Sequence, residues 1–216
     1  VPMTPATESS LPSPGPGASG RVRRWLRREG MPLAVMLVLL VVARSSLANH
    51  YHVPSGSMEP TLMPGDRVVV DMRAYGVRMP ITSWTLWPGD APAPGDVVVF
   101  RSPGDGTRLI KRVVAVGGDR VDLVDGHLSI NGRPLARGPG LPEQFGNRAV
   151  RLDLDAGGGP DIHGLQVPAG QVLVLGDHRG ASLDGRYFGF VDSDAIYGQA
   201  RGVFWRRGDG PGWRRL

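Results

Sequence analysis

The chain has 216 residues, a length that allows one domain of ordinary size with appendages. Gly (32) and Pro (20) make up about a quarter of it, which excludes a fold built mostly from long helices. The net charge of +5 is concentrated at one end. Beyond Arg44, 19 basic and 18 acidic side chains nearly cancel, which excludes the concentrated basic face that nucleic-acid binding requires.

Val1 to Gly20 is rich in Pro, Ser, Gly and Thr and reads as a disordered tail, because it cannot bury enough apolar surface to offset ordering entropy. Five arginines follow within residues 21–28, and then Met31 to Ala43 runs thirteen residues without a charge. Thirteen helical residues span about 20 Å, short of a hydrocarbon core of about 30 Å. Met31 to Ala48 reaches about 27 Å if Arg44 extends its charge to the interface. A single membrane anchor within 21–49 is the expected reading. A cleaved signal peptide ending at Ser46-Leu47-Ala48 fits the same outline, and a buried core helix is a third possibility. The arginines precede the segment and Asn49 to Pro64 carries no Lys or Arg, which places the N-terminus in the cytoplasm and residues 50–216 outside.

From His50 onward, strand and turn signals alternate. Arg67-Val-Val-Val-Asp-Met, Asp96-Val-Val-Val-Phe and Gln171-Val-Leu-Val-Leu are short β-branched runs bounded by Gly, Pro or Asp. Asp125-Gly126 predicts a hairpin between Val121–Val124 and His127–Ile130, and Asn131-Gly132 a second tight turn. No amphipathic helix of twelve or more residues is visible after residue 50. Pro139 to Pro168 is weakly patterned and Gly-rich, and 136–168 reads as a solvated insertion.

Pro54-Ser-Gly-Ser-Met-Glu-Pro-Thr-Leu puts two serines around a glycine just after the apolar segment. Lys111 is the only lysine among 25 basic residues, and it sits in the apolar run Leu109-Ile-Lys-Arg-Val-Val-Ala-Val. A position that keeps Lys where Arg serves everywhere else needs a group that can lose its proton. Arg cannot, whereas a desolvated Lys can. A neutral amine beside a serine hydroxyl is a general base. The third element is Gly176-Asp-His-Arg-Gly-Ala-Ser-Leu-Asp-Gly-Arg, a polar loop after a strand.

Together these elements resemble the bacterial type I signal peptidases, membrane-anchored serine proteases with a Ser–Lys dyad. The match covers about residues 31–75, 94–135 and 170–205. The resemblance implies a mainly β, antiparallel-sheet catalytic domain preceded by one N-terminal transmembrane helix. It also implies cleavage of signal peptides from secreted preproteins at small-x-small sites, at the cell membrane and without cofactor or metal. Ser57 would be the nucleophile and Lys111 the general base. Ser55 and the Ser57 N–H would form the oxyanion hole. Ser182 would hydrogen-bond and orient the Lys111 amine, Asp184 and Arg186 would form a supporting ion pair, and Asp177 and Arg179 would support the loop. Tyr51, Val53, Met58, Leu62, Val99, Leu109 and Ile110 would surround the substrate. The family's last motif usually reads Gly-Asp-Asn-Arg-Asp-Asn-Ser, and here His178, Gly180 and Ala181 depart from it.

Other chemistry is weaker. His127, His163 or His178 could serve a Ser–His–Asp triad, but no nucleophile-elbow motif surrounds a serine. His50-x-His52 lacks a third metal ligand nearby, and Gly157-Gly-Gly-Pro-Asp161 is a calcium-repeat fragment that occurs once. Two further readings stay open: a dedicated peptidase of the same dyad class, and a non-enzymatic β domain derived from this fold.

Overall fold

The computed structural model describes residues 26–37, 49–78, 85–87, 89–138 and 140–216. It contains two units, Val1–Ala43 and Arg44–Leu216. In the first, Leu26–Gly30 forms a π-type turn and residues 31–37 are α-helical, with Met31, Leu33, Val35, Met36 and Leu37 exposed. No described helix is long and apolar enough to cross a membrane. The expected tail and residues 38–48 of the expected anchor lie outside the described residues.

The second unit is mainly antiparallel β, in agreement with the sequence. Its first strands are β1 (Asn49–His52), β2 (Arg67–Asp71), β3 (Val77–Arg78), β4 (Thr85–Trp87), β5 (Val97–Arg101) and β6 (Arg108–Val116). Then come β7 (Arg120–Val124), β8 (His127–Ile130), β9 (Arg133–Pro134), β10 (Glu143–Phe145), β11 (Arg148–Val150) and β12 (Ile162–Gln166). The last are β13 (Gln171–Leu175), β14 (Val191–Asp192), β15 (Ile196–Arg206) and β16 (Gly210–Arg215). The main sheet runs β1-β2-β15-β5-β6-β13-β14, with β16 added to β15, and a smaller sheet runs β12-β7-β8-β9.

Alternation explains the core. Val98 and Phe100 of β5 join Val113, Val172, Val174, Val191 and Ile196 on one face. Val97 and Val99 face the other way, into a cluster with Val53, Met58, Leu62, Val68 and Val70. Strands buried on both faces read as unbroken apolar runs, which is why β5 and β6 lack alternation in the sequence. The β6–β13 register skips Val114, a bulge that turns Val114 and Ala115 to the same side. There they pack with Val121, Leu123 and Leu128 of the smaller sheet. The Asp125-Gly126 turn forms as expected, with φ of 50° and 81°, joining β7 to β8.

One expectation is corrected. Residues 140–168 are not a wholly solvated segment. They form β10–β12, and Glu143, Phe145, Val150 and Val167 are buried. Many Gly and scattered single apolar residues conceal this, because short strands supply only one or two core contacts each.

Candidate active site

Ser57 lies in a run of turns after β1. The Glu59 N–H donates to Gly56 O at 2.9 Å and the Leu62 N–H to Met58 O at 2.9 Å. Met58 and Leu62 are wholly buried and pin this segment into the core. Both pack in one cluster with Val53, Val68 and Val99, which line the neighbouring groove.

Lys111 lies in the middle of β6, opposite Val98 of β5 and on the face that carries Val113. Its Nζ donates to Ser57 Oγ at 2.5 Å, and only 3% of the residue is exposed. Burial drives its pKa down from 10.5 to about 8, against the opposing pull of the Asp184 and Asp177 carboxylates; Arg186 lowers it further. The Ser55 hydroxyl donates to Ser57 Oγ at 3.4 Å. The structure thus brings Ser55, Ser57 and Lys111 together from two segments.

The loop after β13 closes the site from the third side. Gly176 is required by close approach: a Cβ there would overlap Ser57 O and Ser182 Oγ. The His178 N–H donates to Ser57 O at 3.3 Å. Asp184 and Arg186 form a bidentate pair at 2.8 Å for both contacts, and Asp184 Oδ2 also accepts the Gly176 N–H at 2.9 Å. The Ser182 hydroxyl is buried but has no hydrogen-bond partner, so the expected bond to Lys111 is not formed. Gly180, where the family usually has Asp, sits against the Ala156 carbonyl and leaves no room for a Cβ.

Asp177 and Arg179 do not pair with each other. Arg112 makes a bidentate pair with Asp177 at 2.8 and 2.7 Å, and Thr61 Oγ1 donates to the same carboxylate at 2.5 Å. Arg112 also donates to Gly95 O at 2.8 Å. Adjacent strand residues face opposite sides, so Lys111 and Arg112 are buried in different surroundings. Arg179 pairs instead with Glu143 at 2.7 Å, both side chains wholly inaccessible, and also donates to Gly126 O at 2.5 Å. Sequence reasoning missed Thr61, Arg112 and Glu143. A signal for Glu143 existed: the chain has sixteen Asp and only four Glu, so the longer carboxylate is a selected choice.

A cleft of about 390 Å³ is lined by Ser55, Gly56, Ser57, Glu59, Leu109, Lys111, His178, Ala181 and Leu183. A second groove of about 560 Å³ shares Leu109 and adds Tyr51, Val53, Val99 and Ile110, five of the expected substrate residues. His50, His52 and Arg108 also line it, and the Arg108 guanidinium lies 4.8 Å over the Tyr51 ring.

Residues 24–205 match the family model described as signal peptidase, peptidase S26. The signal peptidase I of Pseudomonas fluorescens is 32% identical over 195 residues, 78% of this chain and 69% of that protein. The signal peptidase I of Leptolyngbya laminosa is 30% identical over 211 residues, 94% and 89% of the two chains. A crystal structure of a signal peptidase I from Enterococcus faecalis is 34% identical, covering 51% of this chain and 97% of that one with a TM-score of 0.37. The protein is a serine peptidase. The chain belongs to the signal peptidase family, peptidase S26.

Proposed function

We propose that the chain removes signal peptides from secreted preproteins at small-x-small sites, with Ser57 as nucleophile and Lys111 as general base. The observation that carries this reading is the 2.5 Å contact between the buried Lys111 Nζ and Ser57 Oγ. With a pKa of about 8, about a tenth of Lys111 is neutral at pH 7, against a negligible fraction at 10.5. The neutral amine takes the Ser57 proton as Oγ attacks the scissile carbonyl carbon. The C=O electron pair moves to oxygen, where the Ser55 hydroxyl and the Ser57 N–H are the donors for the developing charge. Collapse of that intermediate breaks the C–N bond, and protonated Lys111 gives its proton to the departing amine. Water, activated by the same amine, then hydrolyses the acyl-enzyme.

Strand edges support an extended substrate. β13 pairs with β6 only from Arg112 to Val116, and β1 pairs on one side only, with β2. The groove between β1 and the start of β6 is lined by residues 50–54 and 108–110, so a peptide in strand conformation would find backbone partners on two sides. Val53 and Val99 add apolar surface to the groove, which suits small apolar side chains of a substrate.

The proposed organisation is a disordered cytoplasmic tail over 1–20, a basic flank and membrane anchor over 21–49, and an extracytoplasmic peptidase domain over 50–216. Five arginines before the apolar segment, and no Lys or Arg from Asn49 to Pro64, support that orientation. The deciding experiment incubates detergent-solubilised protein with a preprotein carrying an Ala-x-Ala site. Cleavage after the second Ala, absent in Ser57→Ala, is the expected result.

A further inference from the structure

Beside the Ser57–Lys111 contact, a second group of titratable side chains has no role in the reaction above. Glu59, Asp153 and His178 each direct one ligand atom into a common space, and these atoms all lie within 4.8 Å of one another. Glu59 and His178 line the cleft together with Ser57 and Lys111. Each residue is held by independent structure. Asp153 is bracketed by backbone bonds, its N–H donating to Asp177 O and its carbonyl accepting the Arg179 N–H, both at 3.0 Å. That bridge sets it directly beside His178. The Glu59 carboxylate packs over Gly56, where an added Cβ would stand 2.9 Å from Oε1.

The imidazole is oriented as a ligand. Nε2 lies 2.6 Å from Asp155 Oδ1, and a carboxylate can only accept, so Nε2 carries the proton. Nδ1 faces Glu59 Oε2, 3.8 Å away. Among the described residues no Arg or Lys pairs with Glu59 or Asp153, and Asp153 Oδ1 accepts only the Asp155 N–H, at 3.0 Å. A divalent cation between the three ligand atoms would offset the two carboxylate charges. At metal–ligand bonds of about 2.0–2.2 Å, ligands of a tetrahedral ion stand about 3.3–3.6 Å apart, and the His178 Nδ1–Glu59 Oε2 distance of 3.8 Å is a few tenths of an ångström longer. A carboxylate hydrogen-bonded to the far nitrogen of a ligating histidine is the usual outer partner of such a site, and Asp155 occupies that position. One imidazole nitrogen and two carboxylates suit a first-row divalent ion better than calcium or magnesium, which favour oxygen alone.

We propose that Glu59, Asp153 and His178 form a binding site for a divalent transition-metal ion at the lip of the cleft, with Asp155 orienting His178. The site depends on His178, one of the positions where this chain departs from the usual family motif. It does not depend on the catalytic roles given to Ser57 and Lys111.

The test is calorimetric titration of Zn²⁺ into the full chain in detergent, with circular dichroism to verify folding of each variant. Saturable binding of one ion is expected. His178→Asn and Glu59→Gln should each weaken it at least tenfold, and Asp155→Asn by about 10–100-fold. Absence of saturable binding would overturn the proposal. So would unchanged affinity in folded His178→Asn, which would move the ion elsewhere, for example to His50 and His52. Co²⁺ substitution supplies a second readout: a visible absorption band that disappears in His178→Asn supports the site, and one that persists removes it.

Discussion

Lys111 Nζ meets Ser57 Oγ at 2.5 Å although 54 positions separate them in the chain. The strand supplies burial for the amine, and the turn, anchored by Met58 and Leu62, supplies a fixed hydroxyl. Neither segment could do both. A flexible loop would leave the amine hydrated and charged, and a strand position for the serine would turn its hydroxyl into the core.

Ser57→Ala should abolish cleavage of an Ala-x-Ala preprotein and leave the fold in place. The residue contributes one hydroxyl to the edge of a cleft and no apolar packing. Product formation followed by mass spectrometry, with thermal unfolding alongside, measures both parts. Residual activity above the uncatalysed rate would reassign the nucleophile.

Lys111→Arg should be as inactive as Lys111→Ala, because a guanidinium cannot accept the serine proton. In the parent enzyme kcat/KM should fall as pH drops through about 8, where the amine becomes protonated. The stability consequence has the same sign. A lysine whose folded pKa is depressed binds its proton less well folded than unfolded, so stability rises with pH between about 8 and 10.5. Below pH 8 the burial penalty is present in full. Lys111→Met should therefore stabilise the domain there, by roughly 2 kcal/mol in denaturant titrations, and by less as pH rises through that window.

Ser55→Ala should lower kcat by roughly 10²–10³ and change KM little, as expected for loss of a donor used mainly in the transition state. Equal losses in the binding of a substrate-like peptide and in turnover would instead make Ser55 a ground-state contact.

Gly176→Ala should cost activity without touching any reacting group. The added Cβ would displace Ser57 O or the Ser182 side chain, so the nucleophile moves relative to Lys111. A fall in kcat of more than tenfold, with a lower melting temperature, is the expected pair of results. Ser182→Ala should be close to neutral for stability, since its hydroxyl has no partner to lose.

Glu143→Ala should destabilise the fold by about 3–5 kcal/mol, because it leaves the Arg179 guanidinium buried and uncompensated. Adding Arg179→Met should recover much of that loss in equilibrium unfolding. An additive double variant would show that the two side chains are not coupled.

The sequence was most legible where local chemistry dictates local structure. Asp125-Gly126 must take positive φ, and the β-branched runs must pair, so the hairpin and the central strands follow directly. Lys111 was legible through its rarity. Pairings made through space were not. Asp177 and Arg179 are two positions apart, yet each reaches a partner from a different strand: Arg112 of β6 and Glu143 of β10. Nothing in the spacing of Asp177 and Arg179 separates a local ion pair from two distant ones.

Because Lys111 is the sole lysine, the site holds the only side-chain primary amine in the chain. Its depressed pKa makes that amine nucleophilic near pH 8, where ordinary lysines remain protonated. Mild acylating or reductive-alkylating reagents would thus label one side chain only, at the floor of the cleft, distinguishable from any α-amino group by peptide mapping. The stoichiometry of side-chain modification would count competent molecules directly, and protection by a bound peptide would report occupancy without any measurement of turnover.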